Sequence, residues 1–301
     1  MAERPQINHG ATIRKEAERI AGAFPPLLIE AERIAHTVAA GLHGRRRAGP
    51  GESFWQHRPY AFGDPVSAID WRQSARVADR LYIRQNEWDA AAAVWIWRDA
   101  SRSLDYASKK EWPTKRRRAD IIALALATLL AEGGERIGIA GPERRIFHGR
   151  NAAARFFEAF GVDEFDDSAS VPVYAPVGAH ARMVMISDFF ADPGRIADIV
   201  AQYASQGIKG VLLQIVDPAE ESFPFKGRTE FADVESRDRL TFGDAGALGD
   251  AYRREFAAHR DALASLSQRI QWTFLTHRTD APASAALLSL YVALADQRGR
   301  R

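Results

Sequence analysis

Apolar and polar positions along this chain follow two rhythms. From about residue 90 onward, short and nearly continuous apolar runs alternate with longer stretches whose apolar residues return at helical spacing. The runs are "AAAVWIW", "RIGIAG", "ARMVMISDF", "GVLLQIVD" and "IQWTFLTH". Each is short enough for a buried strand. Between and after them lie "TKRRRADIIALALATLLAEGG", "NAAARFFEAFG", "PGRIADIVAQYASQG", "AGALGDAYRREFAAHRDALASLSQR" and "APASAALLSLYVALAD", all amphipathic or apolar helix patterns. The segment "TEFADVESRDRLTFGD" reads as a hairpin. Apolar strands alternating with helices predict a doubly wound, mostly parallel α/β sheet with helices on both faces.

Upstream the rhythm differs. Residues 11–41 carry Ile13, Ala17, Ile20, Leu27, Leu28, Ala31, Ile34, Ala35 and Val38 near the 3.6 period, interrupted by Pro25 and Pro26 and ended by Gly41 and Gly44. Residues 45–89 mix short aromatic strand candidates with turns at "FGDP" and "VADR". Three parts are therefore expected: a helical segment over 1–44, a small β-rich segment over 45–89 packed on the sheet, and the α/β domain over 90–301.

Composition narrows the chemistry. Apolar residues make up 46% of the chain, enough for a sizeable core. A net charge of +2 makes no global demand for nucleic acid or an anionic surface. Cysteine is absent, which excludes disulfides, thiolate nucleophiles and thiolate zinc sites. The N-terminus shows no apolar signal region, and the run over residues 121–131 is shorter than the ~20 residues of a membrane helix. A soluble, cytoplasmic protein is the expectation.

Ligands of such sheets bind beyond the carboxyl ends of the strands, near the switch in strand order. Two apolar runs end there on acids. "AVWIWRDASRS" ends on Asp99, followed at alternate positions by Ser101 and Ser103, and "ARMVMISDFF" ends on Asp188. Residues two apart in an extended loop face the same way, so these side chains can converge. Two carboxylates and two hydroxyls form an all-oxygen set suited to magnesium, or to manganese. Asp and Ser in this position also cap helices, which is the simpler explanation of the same residues.

The Asp-x-Ser-x-Ser string with a later strand-end Asp resembles the metal-ion-dependent adhesion site of von Willebrand factor type A domains. Upstream, "HRPYAFGDPVSAIDWRQSAR" is similar to the signature of the bacterial "domain of unknown function 58" family. The matching residues are Arg58 and Tyr60, Gly63 and Asp64, Ile69, Asp70 and Trp71, and Ala75 and Arg76. The segment "LYIRQNEWD" that follows also fits. The resemblance implies a von Willebrand factor type A-like domain with Asp99, Ser101, Ser103 and Asp188 as metal ligands. It also implies a MoxR-type AAA+ ATPase as partner, in chaperone-like assembly or stress functions. One departure is plain. The Thr that completes an adhesion site has no counterpart, because no Thr occurs between Thr128 and Thr229. Ser168 or Ser170 would have to serve, which makes the site a degenerate one.

The expected function is a non-catalytic interaction module in which a partner's carboxylate supplies the last metal ligand. Two alternatives stand beside it. A metal-assisted phosphate-ester hydrolase would need a base beside the carboxylates, and the sequence offers the loop residues His148 and His180. It contains no Gly-x-Ser-x-Gly, His-Glu-x-x-His or Gly-x-x-x-x-Gly-Lys string. Nucleic-acid binding would use the basic clusters at residues 45–47 and 115–118. The second cluster opens a predicted helix, where positive charge opposes the helix dipole and calls for a reason.

Overall fold

The computed structural model describes residues 14–15, 18–19, 48–49, 53–61, 69–76, 81–87, 93–141, 144–160, 170–178, 181–232 and 239–299. Most of the expected N-terminal helix, the Gly63–Asp64 turn, the basic cluster at 45–47, Ser168 and His180 lie outside them. The chain divides into two compact units, Ala39–Ala92 and Met1–Val38 with Ala93–Arg301.

The small unit is an antiparallel sheet of β1 (Ala48–Gly49), β2 (Ser53–Pro59) and β3 (Tyr82–Glu87), with β3 in the centre. A register shift between Phe54 and Gln56 marks a bulge in β2. One short helix, α1 (Trp71–Ser74), precedes β3. The Ser74 hydroxyl ties it down by accepting from the Tyr82 amide at 2.8 Å. Asp70 of the signature donates its backbone amide to Tyr82, at 2.8 Å.

The large unit runs β4 (Val94–Arg98), α2 (Lys115–Glu132), β5 (Ile137–Ile139), β6 (Arg145–Phe147), α3 (Ala152–Ala159), β7 (Arg182–Ser187), α4 (Pro193–Ser205), β8 (Lys209–Val216) and α5 (Pro218–Ser222). A hairpin of β9 (Thr229–Ala232) and β10 (Arg239–Phe242) follows, then α6 (Gly249–Arg269), β11 (Thr273–Arg278) and α7 (Ala283–Gly299). Six strands form one sheet in the order β11-β8-β7-β4-β5-β6. All neighbours pair in parallel except β6, which returns antiparallel along β5. The chain starts in the middle at β4, builds outward through β5 and β6, then crosses to β7 and builds the other way. The strand order therefore switches between β4 and β7.

Every residue of β4 and β7 is buried, as the nearly continuous apolar runs require of strands covered on both faces. Side-chain alternation sorts them into two cores. Val94, Ile96, Val184, Ile186, Val211 and Leu213 pack with α2, α3 and α7. Trp95, Trp97, Met183, Met185 and Leu212 pack with Ile196 and Val200 of α4 and with Leu263 and Leu266 of α6. The result is a mixed α/β fold with a mostly parallel central sheet and a helical layer on each face. Two glycines let tryptophans lie flat on the sheet. A Cβ at Gly138 would stand 2.5 Å from the Trp95 ring, and one at Gly210 would stand 2.6 Å from Trp272.

Candidate functional site

The site grows from the carboxyl ends of β4 and β7, where the strand order switches. Beyond β4 the Asp99 amide still donates to Ile186 of β7 at 2.9 Å, so the loop leaves in register with its neighbour. Asp99 then folds back on its own loop, its Oδ1 accepting from the Ser101 amide at 2.8 Å. A single 3-10 turn, Arg102–Leu104, brings the Ser103 hydroxyl to 2.9 Å from that of Ser101. The second Asp99 oxygen accepts from the Ser187 hydroxyl at 2.6 Å, which joins the ends of β4 and β7 directly. Ser187 Oγ in turn accepts from the Phe189 amide at 2.8 Å, and Phe189 adopts a left-handed φ of 55°. That backbone turn presents Asp188, whose Oδ1 accepts from the Phe190 amide at 3.1 Å. The Gln214 amide group of β8 holds the Asp188 carbonyl at 3.0 Å.

The four residues expected from the sequence are thus drawn to one rim. Asp99, Ser101 and Ser103 are linked by hydrogen bonds, and the Asp188 charge is near enough to act on Asp99. Burial pushes the Asp99 carboxyl above its ordinary range and the Asp188 charge adds to that, while hydrogen bonds from Ser101 and Ser187 oppose it.

Two site residues were not foreseen. Lys115, at the first position of α2, sends its ammonium to Asp188 Oδ2 at 2.8 Å and to Glu220 Oε1 at 2.6 Å, with its side chain 1% exposed. Burial alone would lower its pKa, but the two carboxylates outweigh burial and hold it above the usual lysine value. Glu220 belongs to a capping box at α5. The Asp217 side chain accepts from the Ala219 amide at 2.8 Å, and Glu220 Oε2 accepts from the Asp217 amide at 2.8 Å. Burial raises the Glu220 carboxyl, against the pull of Lys115.

The basic cluster that opens α2 has its reason here. Lys115 is committed to the two carboxylates. Arg116 is buried and donates to the Ala100 carbonyl at 3.3 Å, and Arg118 donates to the Thr279 carbonyl at 2.9 Å. These charges bind the helix N-terminus to the rim, where Thr114 caps it by accepting from the Arg117 amide at 3.2 Å. Two of the four basic side chains that the nucleic-acid alternative would use are thereby buried.

A cavity of about 620 Å³ opens at this point. Its polar end holds Ser103, Tyr106, Lys115, Asp188 and Glu220, and Ser170 also reaches it. Its walls are aromatic: Phe190 after β7, Phe223 and Phe225 after α5, Phe231 and Phe242 on the hairpin, and Tyr252 on α6. Of the four sequence-predicted residues, Ser103 and Asp188 line the cavity, whereas Asp99 and Ser101 are 1% and 0% exposed and do not.

In ligand type the donor set is all oxygen, the kind that hard divalent cations take. Asp99, Asp188 and Glu220 set three carboxylates about one ammonium, beside two adjacent hydroxyls. Among the described residues no group of three His, Cys, Asp or Glu side chains is arranged as a metal cage. Magnesium here would rely on the serines and on retained water, which is its usual habit.

These features define a doubly wound α/β protein with an oxygen-rich rim site opening into an aromatic cavity. The chain belongs to the family described as "Protein of unknown function DUF58", whose model matches residues 56–155 and 169–262. It is 26% identical over 276 residues to the uncharacterized protein Mb1516 of Mycobacterium bovis, covering 87% of this chain and 86% of that protein. The uncharacterized protein Rv1480 of Mycobacterium tuberculosis matches to the same degree. Among solved structures it is similar to the conserved hypothetical protein BatB from Bacteroides thetaiotaomicron, with a TM-score of 0.39, 13% identity, and coverage of 68% of this chain and 99% of that one. An aerotolerance-related membrane protein from Bacteroides fragilis matches with a TM-score of 0.38 and 14% identity over the same shares. In this chain, no helix among the described residues is long and apolar enough to cross a membrane.

Proposed function

We propose that this chain is a non-catalytic protein-interaction module of von Willebrand factor type A-like character, which recognises its partner at the rim formed by β4 and β7. In this reading Asp99, Ser101, Ser103 and Asp188 hold magnesium, and a carboxylate of the partner completes the coordination. The observation that carries it is the convergence of the Asp99–Ser101–Ser103 loop on Asp188 at the switch in strand order. The resemblance described above supports a MoxR-type AAA+ ATPase as that partner. Ser170, one of the two serines named in place of the missing Thr, reaches the same cavity.

Calorimetric titration with magnesium tests the reading on the wild type and on Asp99→Ala, with folding checked by circular dichroism. Saturable binding that disappears in the folded variant is the expected result. A pull-down of the ATPase that is unchanged by chelator removes the metal from recognition.

A further inference from the structure

The rim reading uses Asp188 and leaves the aromatic cavity unexplained. We propose that this cavity is a binding site for a small organic amine, its ammonium seated at Asp188 and Glu220 and its apolar body held among Phe190, Phe223, Phe231 and Tyr252. The proposal extends the interaction-module reading but requires no metal.

Three independent observations carry it. The first is size and shape: about 620 Å³ lies within the usual range of small-molecule sites, roughly 300–1,000 Å³. The second is the wall. Phe223 stacks on Phe231 at 5.8 Å and lies tilted against Tyr252 at 4.6 Å, and Phe225 meets Phe231 edge-on at 5.2 Å. Ring faces of this kind attract cations, and they already do so here, with the Lys115 ammonium 4.9 Å from the Phe190 ring centre. Phe223, which lines the cavity, and Phe189, between the lining residues Asp188 and Phe190, both hold left-handed backbone, with φ of 47° and 55°. Such local strain gathers at ligand sites, because the fold must support it there.

The third observation is charge. Two carboxylates at the polar end face one ammonium, so the end remains negative after Lys115 is paired. The Tyr252 hydroxyl is pushed up to about 12, chiefly by burial and then by the Glu220 charge, and the Tyr106 hydroxyl is raised by burial and then by Asp217 and Glu220. Both therefore stay neutral and present acceptors and donors rather than further charge. An anionic ligand would gain Lys115 and lose to two carboxylates. A neutral one would gain the rings alone. A monocation gains the rings and two carboxylates against the single charge of Lys115.

The test compares phenethylamine, 2-phenylethanol and 3-phenylpropionate, which share one aromatic body and differ in charge. Binding to the full chain is followed by NMR at neutral pH in the presence of EDTA. The amine binds at least roughly tenfold more tightly than the alcohol, about 1.4 kcal/mol, and the acid binds most weakly. Glu220→Gln brings the amine to the level of the alcohol and leaves the alcohol unchanged. Phe231→Ala, on the hairpin wall, weakens the amine and the alcohol alike and serves where the Glu220 variant fails to fold. Equal binding of all three compounds, preference for the acid, or no binding of the amine overturns the proposal. Repeating the amine titration with magnesium separates the two readings. A loss of amine affinity supports competition at Asp188, whereas an unchanged affinity counts against the metal and not against the amine.

Discussion

At the scale of single residues, Lys115 is the side chain on which the rim turns. A buried ammonium between two buried carboxylates leaves uncompensated charge when it is removed, and breaking such a pair costs about 3–5 kcal/mol. Lys115→Met is accordingly expected to lower stability by that amount in urea titrations with EDTA, and magnesium is expected to restore part of it. A loss below about 1 kcal/mol would show that Lys115 is not the counter-ion of the site. His277, near the end of β11, gives a second residue-scale outcome. Burial, with the Arg118 charge added and Asp280 opposing, lowers its pKa from 6.5 to about 4. Its Nε2 has no hydrogen-bond partner among the described residues. The unfolded chain binds the proton first, so this contribution is fully present above pH 6.5 and is lost as pH falls through 4. Its full size is about 3 kcal/mol. His277→Leu should flatten the stability profile between those values. Asp99, Ser101, Ser103 and Asp188 were legible because a carboxylate at the end of an apolar run is conspicuous. A third such run, "GVLLQIVD", ends on Asp217 and opens a capping box with Glu220, yet nothing in the order of residues says that Lys115, more than a hundred positions earlier, meets that glutamate. That contact is made by the sheet.

At the scale of elements, the strands that were plain in the sequence are those buried on both faces. β4, β7 and β8 read as nearly continuous apolar runs because both of their sides meet helices. β6 was missed for the converse reason. It is three residues long, lies at the sheet edge and is partly exposed, so its sequence "RIF" carries neither alternation nor an apolar run. α5 is a single capped turn and too short to show a period. The small residues inside strands carried a message that periodicity does not read. Gly138 of β5 exists where the Trp95 ring of β4 lies 2.5 Å from any added Cβ. Gly138→Ala therefore forces that ring or the strand to move, at a cost of about 1–3 kcal/mol. Thermal unfolding should show the loss, together with a changed near-ultraviolet signal from Trp95. An unaltered melting curve would mean that the ring relocates freely, against the tight packing of that core face.

At the scale of the whole molecule, the switch in strand order explains why the rim rather than any other edge collects polar groups. β4 and β7 diverge in connectivity there, so their following loops part at the switch point, where such sheets bind ligands. The Asp99–Ser187 hydrogen bond spans the two halves of the sheet at that point. A cation held by Asp99 and Asp188 would do the same with greater strength, and it would be released when the sheet comes apart. Binding to the native state alone stabilises by RT ln(1 + [L]/Kd), about 2.7 kcal/mol at a hundredfold excess over Kd. For a unit of this size that corresponds to a rise in melting temperature of roughly 5 °C. Calorimetric scans with magnesium should show this rise in the wild type and none in Asp99→Ala. The same scans with phenethylamine should show a rise in both, because Asp99 does not line the aromatic cavity. A magnesium effect that survives in Asp99→Ala would place the ion elsewhere on the chain, and the rim would then be left to the amine.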